Sequence, residues 1–124
     1  MYRKFSKYIP AIIVMIAIFI FSSIPGSTIN ATGLGKESYH IDGHFIMFML
    51  LCFGYFKATK NILLSLFLTF VYGVMDEFHQ FFTPGRSVSS FDVFVDVCGG
   101  LVTSIILWKG LYYLPKKLRN WLLN

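Results

Sequence analysis

Four stretches of this chain are apolar and long enough to demand a bilayer. They are YIPAIIVMIAIFIFSSI (8–24), HFIMFMLLCFGYFKA (44–58), ILLSLFLTFVYGVMDEFHQFF (62–82) and DVFVDVCGGLVTSIILWKGLYY (92–113). A spanning helix needs about 20 such residues, and the short second run reaches that length if Lys57 snorkels to the interface. Backbone polar groups have to pair internally in lipid, so the runs can only be helices. The expected fold class is an all-α membrane protein, a four-helix transmembrane bundle forming one domain over 1–124.

Composition agrees, with 56% hydrophobic and 14% charged residues. A soluble domain of this size needs far more polar surface. Cys52 and Cys98 fall inside apolar runs and read as packing residues, not as a disulfide. Arg3, Lys4 and Lys7 before the first run suggest a signal peptide. Its core is long for that and no A-x-A site follows, so it is expected to stay as a span. Between the first two runs, Pro25, Gly26, Gly33 and Gly35 predict an irregular connection. Pro84-Gly85 predicts a turn with a positive φ, and Ser89 a cap for the fourth helix.

Threading four spans puts Arg3, Lys4, Lys7, Lys57, Lys60, Lys109, Lys116, Lys117 and Arg119 on one side and leaves Lys36 and Arg86 opposite. By the positive-inside rule both termini are expected in the cytoplasm. Basic ends beside anionic lipid account for the formal charge of +5, so nucleic acid is excluded as a partner.

All six acids (Glu37, Asp42, Asp76, Glu77, Asp92, Asp96) and all three histidines (His40, His44, His79) gather towards the other side. Ser65, Thr69, Tyr72, Asp76, His79 and Gln80 form one polar stripe at helical spacing, with Glu77 facing elsewhere. Asp92, Asp96, Gly99 and Thr103 form a second. Gly99/Thr103 and Gly100/Ser104 are small-xxx-small pairs suited to close helix approach. Intramembrane ionisable groups point to function, so Asp76, Glu77 and His79 are candidate acid/base residues. Arg86 has two readings: an ion pair with Asp92 or Asp76, or a bidentate grip on an anionic ligand.

His40 and His44 have chelating spacing, but no His-Glu-x-x-His signature exists and Gly43 weakens a helix there. No metal is assigned. Serine-nucleophile, phosphate-loop and dinucleotide motifs are absent, so no cofactor is expected.

The order MDEFHQFFTPGRSVSSFDVFVDVCGG resembles the signature of the VanZ-like family, D-E-x-x-Q, then P-G-R-x-x-x-x-x-D, then Asn or Asp four on and a Gly. FSSIPGS and HFIMFMLLCFGYF resemble it too. The resemblance implies functional roles for His44, Asp76, Glu77, Gln80, Arg86, Asp92 and Asp96. It departs in two places: HIDGHF stands where relatives often show D-K-x-x-H-F, and Asp96 where many carry Asn. It further implies a multi-pass protein of the bacterial cell membrane, similar to proteins that lower susceptibility to teicoplanin.

The resulting expectation is an outward-facing polar pocket between the second, third and fourth spans. Asp76, Glu77, His79 and Gln80 form one wall, Asp92 and Asp96 another and His44 a third, with Arg86 at the rim. Its ligand is an amphiphile of the envelope: a lipid, a lipid-linked precursor or a lipoglycopeptide antibiotic. Two alternatives stay open, a small intramembrane acid/base enzyme acting on a lipid headgroup and a structural subunit of a homo-oligomer or other membrane assembly.

Overall fold

The computed structural model describes residues 2–33 and 37–124, with side chains at 4–33 and 40–124. Gly35, Lys36 and the side chains of Arg3 and Glu37 lie outside the described residues. Every described element is helical: α1 (Tyr2–Ser6), α2 (Ile9–Ser23), α3 (Gly26–Ala31), α4 (Glu37–Thr59), α5 (Ile62–Phe81), α6 (Ser90–Gly110), one 3-10 turn (Leu111–Tyr113) and α7 (Lys116–Leu123). Four stretches among them are long and apolar enough to cross a membrane, at Lys4–Ser23, His40–Thr59, Ile62–Phe81 and Ser90–Tyr113.

α4 is the hub and packs against α2, α5 and α6. Its Phe48 and Leu51 are fully buried and meet Ile18 of α2. Towards the chain termini, Phe56 packs with Leu107 and Leu122. On α2, by contrast, Ile13, Ile16, Ile20 and Phe21 are all more than half exposed. That is the surface a helix presents to lipid.

Small residues set the helix spacing. A Cβ on Gly99 would lie 2.6 Å from the Phe45 carbonyl oxygen of α4, and one on Gly100 3.1 Å from Leu66 of α5. Thr103, one turn on from Gly99, donates to the Met49 carbonyl at 3.1 Å. Gly99/Thr103 therefore faces the backbone of α4, and Gly100 the side chains of Leu66 and Thr69 on α5. Cys52 is buried, and it and Cys98 are free thiols.

Side-chain caps close the helix ends. Asn61 Oδ1 accepts from the Leu64 N–H at 3.0 Å to start α5. Ser89 Oγ accepts from the Phe91 N–H at 3.1 Å to start α6, the expected cap. Lys57 reaches the end of the bundle but is covered by α7. Its Nζ donates to the Trp121 carbonyl and Lys60 Nζ to that of Leu122, two cations on the last carbonyls of α7.

The connection expected to be irregular is mostly helix. α3 occupies 26–31, and α4 starts at Glu37 instead of near 44, running through Gly43. A helical glycine costs only about 1 kcal/mol, which packing readily offsets. The extension places His40 and His44 on one helix face.

Gly99→Ala should destabilise the fold by about 1–3 kcal/mol, because a backbone carbonyl cannot move aside for the new methyl. Gly43→Ala, whose Cβ would meet nothing within 4 Å, is the control. Thermal unfolding in detergent checks this: equal midpoints for the two variants would show that α4 and α6 are not held at glycine distance.

Candidate functional site

The site is built around the turn TPGR (83–86). Gly85 adopts φ +72°, the left-handed value expected of it. The Gly26 N–H, at the start of α3, donates to the Pro84 carbonyl at 3.0 Å. A Cβ on Gly26 would fall 1.9 Å from the Gly85 oxygen, so only glycine allows this approach. Thr83 Oγ1 adds a bond to the Ser22 carbonyl at 3.1 Å. The turn is thereby fastened to the end of α2.

That anchoring aims Arg86 at the carbonyls where α2 ends, those of Ile24 and of Phe21, which already accepts from the Ile24 N–H at 3.2 Å. Its Nε donates to Ile24 at 3.2 Å and its Nη2 to Phe21 at 2.6 Å. Its Nη1 donates to His40 Nε2 at 3.1 Å. A guanidinium only donates, so His40 Nε2 is unprotonated. Burial lowers the Arg86 pKa from its ordinary value, and Asp76, Glu77 and Asp92 act in the opposite direction. Starting so high, the group remains a cation. Three of its five N–H groups are committed, and the other two have no partner among the described residues.

The sequence left Arg86 an ion pair with Asp92 or Asp76 as one of two readings. Among the described residues neither pair forms. The carbonyls at the end of α2 and His40 take the guanidinium instead. Asp92 stands half-buried in the first turn of α6.

Asp76, Glu77 and Asp96 each have their own donor. Asp76, only 4% exposed, accepts from Ser22 Oγ at 2.5 Å and from Gln80 Nε2 at 2.9 Å. Glu77, equally buried, accepts from the Ser89 N–H at 3.1 Å and so secures the residue that caps α6. Asp76 and Glu77 thus face different directions, as their adjacent positions on a helix predict. α5 lies between α2 and α6, so adjacent residues face different neighbours and both are covered. His79 stacks on Phe19 with centroids 4.5 Å apart, and its Nε2 lies 2.9 Å from Ser23 Oγ.

Asp96 is fully buried, and its Oδ1 accepts from His44 Nδ1 at 2.9 Å. It pairs with this histidine and not with Asp76, which the sequence placed opposite it. The His44 and His40 rings are 4.5 Å apart, so Arg86, His40, His44 and Asp96 form one continuous polar file. Glu77 Oε1, Gln80 Oε1 and Asp96 Oδ2 are buried with no partner among the described residues.

Two adjoining cavities lie beside this file. The larger, about 420 Å³, is mostly apolar, with Ile18, Phe21, Ile46 and Met47 among its walls and His40, His44 and Arg86 at one side. The smaller, about 260 Å³, is lined by Asn30, Ser87, Gly26 and Gly85. Ile29, His40 and Arg86 line both.

The pocket expected between the second, third and fourth spans therefore opens between α2, α3 and α4. Of the expected wall residues, His44 and Arg86 line it. Asp76, Glu77, His79, Gln80, Asp92 and Asp96 do not; all of these but Asp92 hold neighbouring elements through their side chains. Sequence reasoning missed Ser22, Asn30 and the role of His40. The available signal was the polar pair Ser22-Ser23 ending an otherwise apolar run. Among the described residues no cluster of three His, Cys, Asp or Glu side chains could hold a metal ion.

A family model described as VanZ/LLP1 matches residues 43–113. No curated protein and no solved structure matches the chain. The matched span holds His44, Asp76, Glu77, Gln80, Arg86, Asp92 and Asp96, while α2, α3 and His40 precede it.

Asp96→Asn should leave stability within about 1 kcal/mol of the parent, because an amide oxygen still accepts from His44 Nδ1. Asp96→Leu should cost about 1–3 kcal/mol by orphaning that donor. Chemical unfolding of both variants in detergent provides the measurement, and equal losses would mean the pair does not hold the fold.

Proposed function

The chain belongs to the VanZ/LLP1 family, and from that premise we propose that it takes up an anionic envelope amphiphile between α2, α3 and α4. The observation that carries this reading is the junction of an apolar groove with a polar recess at His40 and Arg86. An acyl chain occupies the groove and gains the burial of its methylenes. The headgroup enters the recess, where the free N–H groups of Arg86 meet its phosphate or carboxylate.

The surplus of lysine and arginine near the termini supports a site on the outer side of a bacterial cell membrane, with both ends in the cytoplasm. Lipids, lipid-linked precursors and lipoglycopeptides such as teicoplanin share the required chemistry, a long apolar chain and an anionic group. Capture of such a molecule in the outer leaflet lowers its free concentration at its target, which is how reduced teicoplanin susceptibility follows. A second reading, an acid/base enzyme, is favoured by the His44–Asp96 pair. In that case His44 is the proton carrier, since Asp76, Glu77 and His79 lie away from the cavities.

Purification from membranes containing phosphatidylglycerol tests the binding reading. Arg86→Gln removes the cation, and Gly43→Leu adds a side chain in open space facing the groove. Each should lower co-purified phosphatidylglycerol about tenfold or more and restore teicoplanin sensitivity. Unchanged lipid in two normally inserted variants would refute the reading. Reporter fusions at Asn124 and near Gly33 should report opposite compartments, and a shared compartment would refute the orientation.

A further inference from the structure

We infer that His44, positioned by Asp96, makes this cavity a hydrolytic site for the phosphodiester of a polyol-headgroup lipid. The inference rests on the binding reading above and assigns that ligand a chemistry. His44 Nδ1–H is spent on Asp96 Oδ1 at 2.9 Å, which fixes the tautomer and leaves the lone pair on Nε2. Nε2 has no hydrogen-bond partner among the described residues, and it is not among the occluded polar atoms. His44 lines the groove, so Nε2 opens onto it. A histidine that served only to satisfy Asp96 would be packed over at its far nitrogen. This one is not.

Arg86 stands one imidazole away, through His40. A phosphate held on its two free N–H groups therefore lies beside His44. The recess beyond offers the amide of Asn30 and the hydroxyl of Ser87, groups that hydrogen-bond to hydroxyls. This selects a polyol such as glycerol over a choline.

The step balances without an oxidant. A water in the groove gives its proton to His44 Nε2 as its oxygen bonds to phosphorus. The phosphorus–oxygen bond to the polyol breaks, and the departing oxygen leaves with the bonding pair and takes the proton from Nε2. Phosphodiester and water become a phosphomonoester lipid and a free polyol. Arg86 offsets the charge that builds on the phosphoryl oxygens, and the buried Asp96 carboxylate stabilises the transient imidazolium. Asp96 touches no substrate and is a positioning residue.

The test reconstitutes the full chain in vesicles of phosphatidylglycerol in phosphatidylcholine, in oxygen-18 water, and reads lipids by mass spectrometry. The expected product is phosphatidic acid carrying one oxygen-18 on phosphate, with glycerol released and phosphatidylcholine untouched. His44→Gln should slow turnover about 100-fold or more while phosphatidylglycerol still co-purifies. Asp96→Asn should lower kcat with KM unchanged, because the amide holds the ring but carries no charge. If phosphatidylglycerol co-purifies with the parent and no labelled phosphatidic acid forms, hydrolysis is overturned and binding stands. If neither lipid nor product is found, both fall. Label appearing in a fatty acid, or His44→Gln turning over at the parent rate, overturns the assignment.

Discussion

The Arg86 guanidinium sits where α2 ends, where α4 presents His40, and where the turn between α5 and α6 comes closest to α3. Its bonds to the carbonyls of Phe21 and Ile24 and to His40 join three segments distant in sequence. Near a bilayer no solvent replaces such bonds cheaply, so the carbonyls at the end of α2 have to be met by protein. The glycine contact between 26 and 85 and the Thr83 bond to Ser22 serve the same joint. Both cavities border on it.

Once α2 is fixed there, the acids fall into place by neighbour and not by mutual attraction. Asp76 faces α2 and receives Ser22. Glu77 faces α6 and receives the Ser89 N–H. Asp96 faces α4 and receives His44. None relies on a lysine or arginine, which limits the cost of breaking a buried ion pair. The arrangement also separates duties: most of the signature acids hold helices in position, and the groups left open to the cavities are His44, His40 and Arg86.

Much of this was legible in the sequence. Apolar length gave four spans, glycine spacing gave the close α4–α6 and α5–α6 contacts, and Ser89 and Gly85 gave a cap and a turn. Periodicity also placed Asp76 and Gln80 on one face. The errors share one physical cause. A helical wheel tells which residues share a face but not which helix lies opposite. Asp96 was therefore set against Asp76, and α2, apolar nearly throughout, was left out of the pocket. Gly43 misled for another reason, since its local helix penalty is small beside the packing that draws His40 and His44 together.

An arginine suits position 86 in a way that lysine does not. Lysine has three donors on one nitrogen, so acceptors spread over three guanidinium nitrogens lie too far apart for it, and serving all three would leave it no donor for a ligand. The guanidinium spreads five N–H groups around a plane and meets Ile24, Phe21 and His40 at once. Two N–H groups remain for an anion, so the same side chain closes the fold and faces the ligand. The neighbouring helix fits that double duty. α2 is the least buried of the four spans, at 17% against 39% for Lys-bearing α4 and for α6. A tether at its end keeps a lightly packed helix in register while the seam beside α4 remains wide enough to hold a cavity. Replacing the tether by a purely apolar contact would hold α2 as well, but would leave the groove without charge at its mouth.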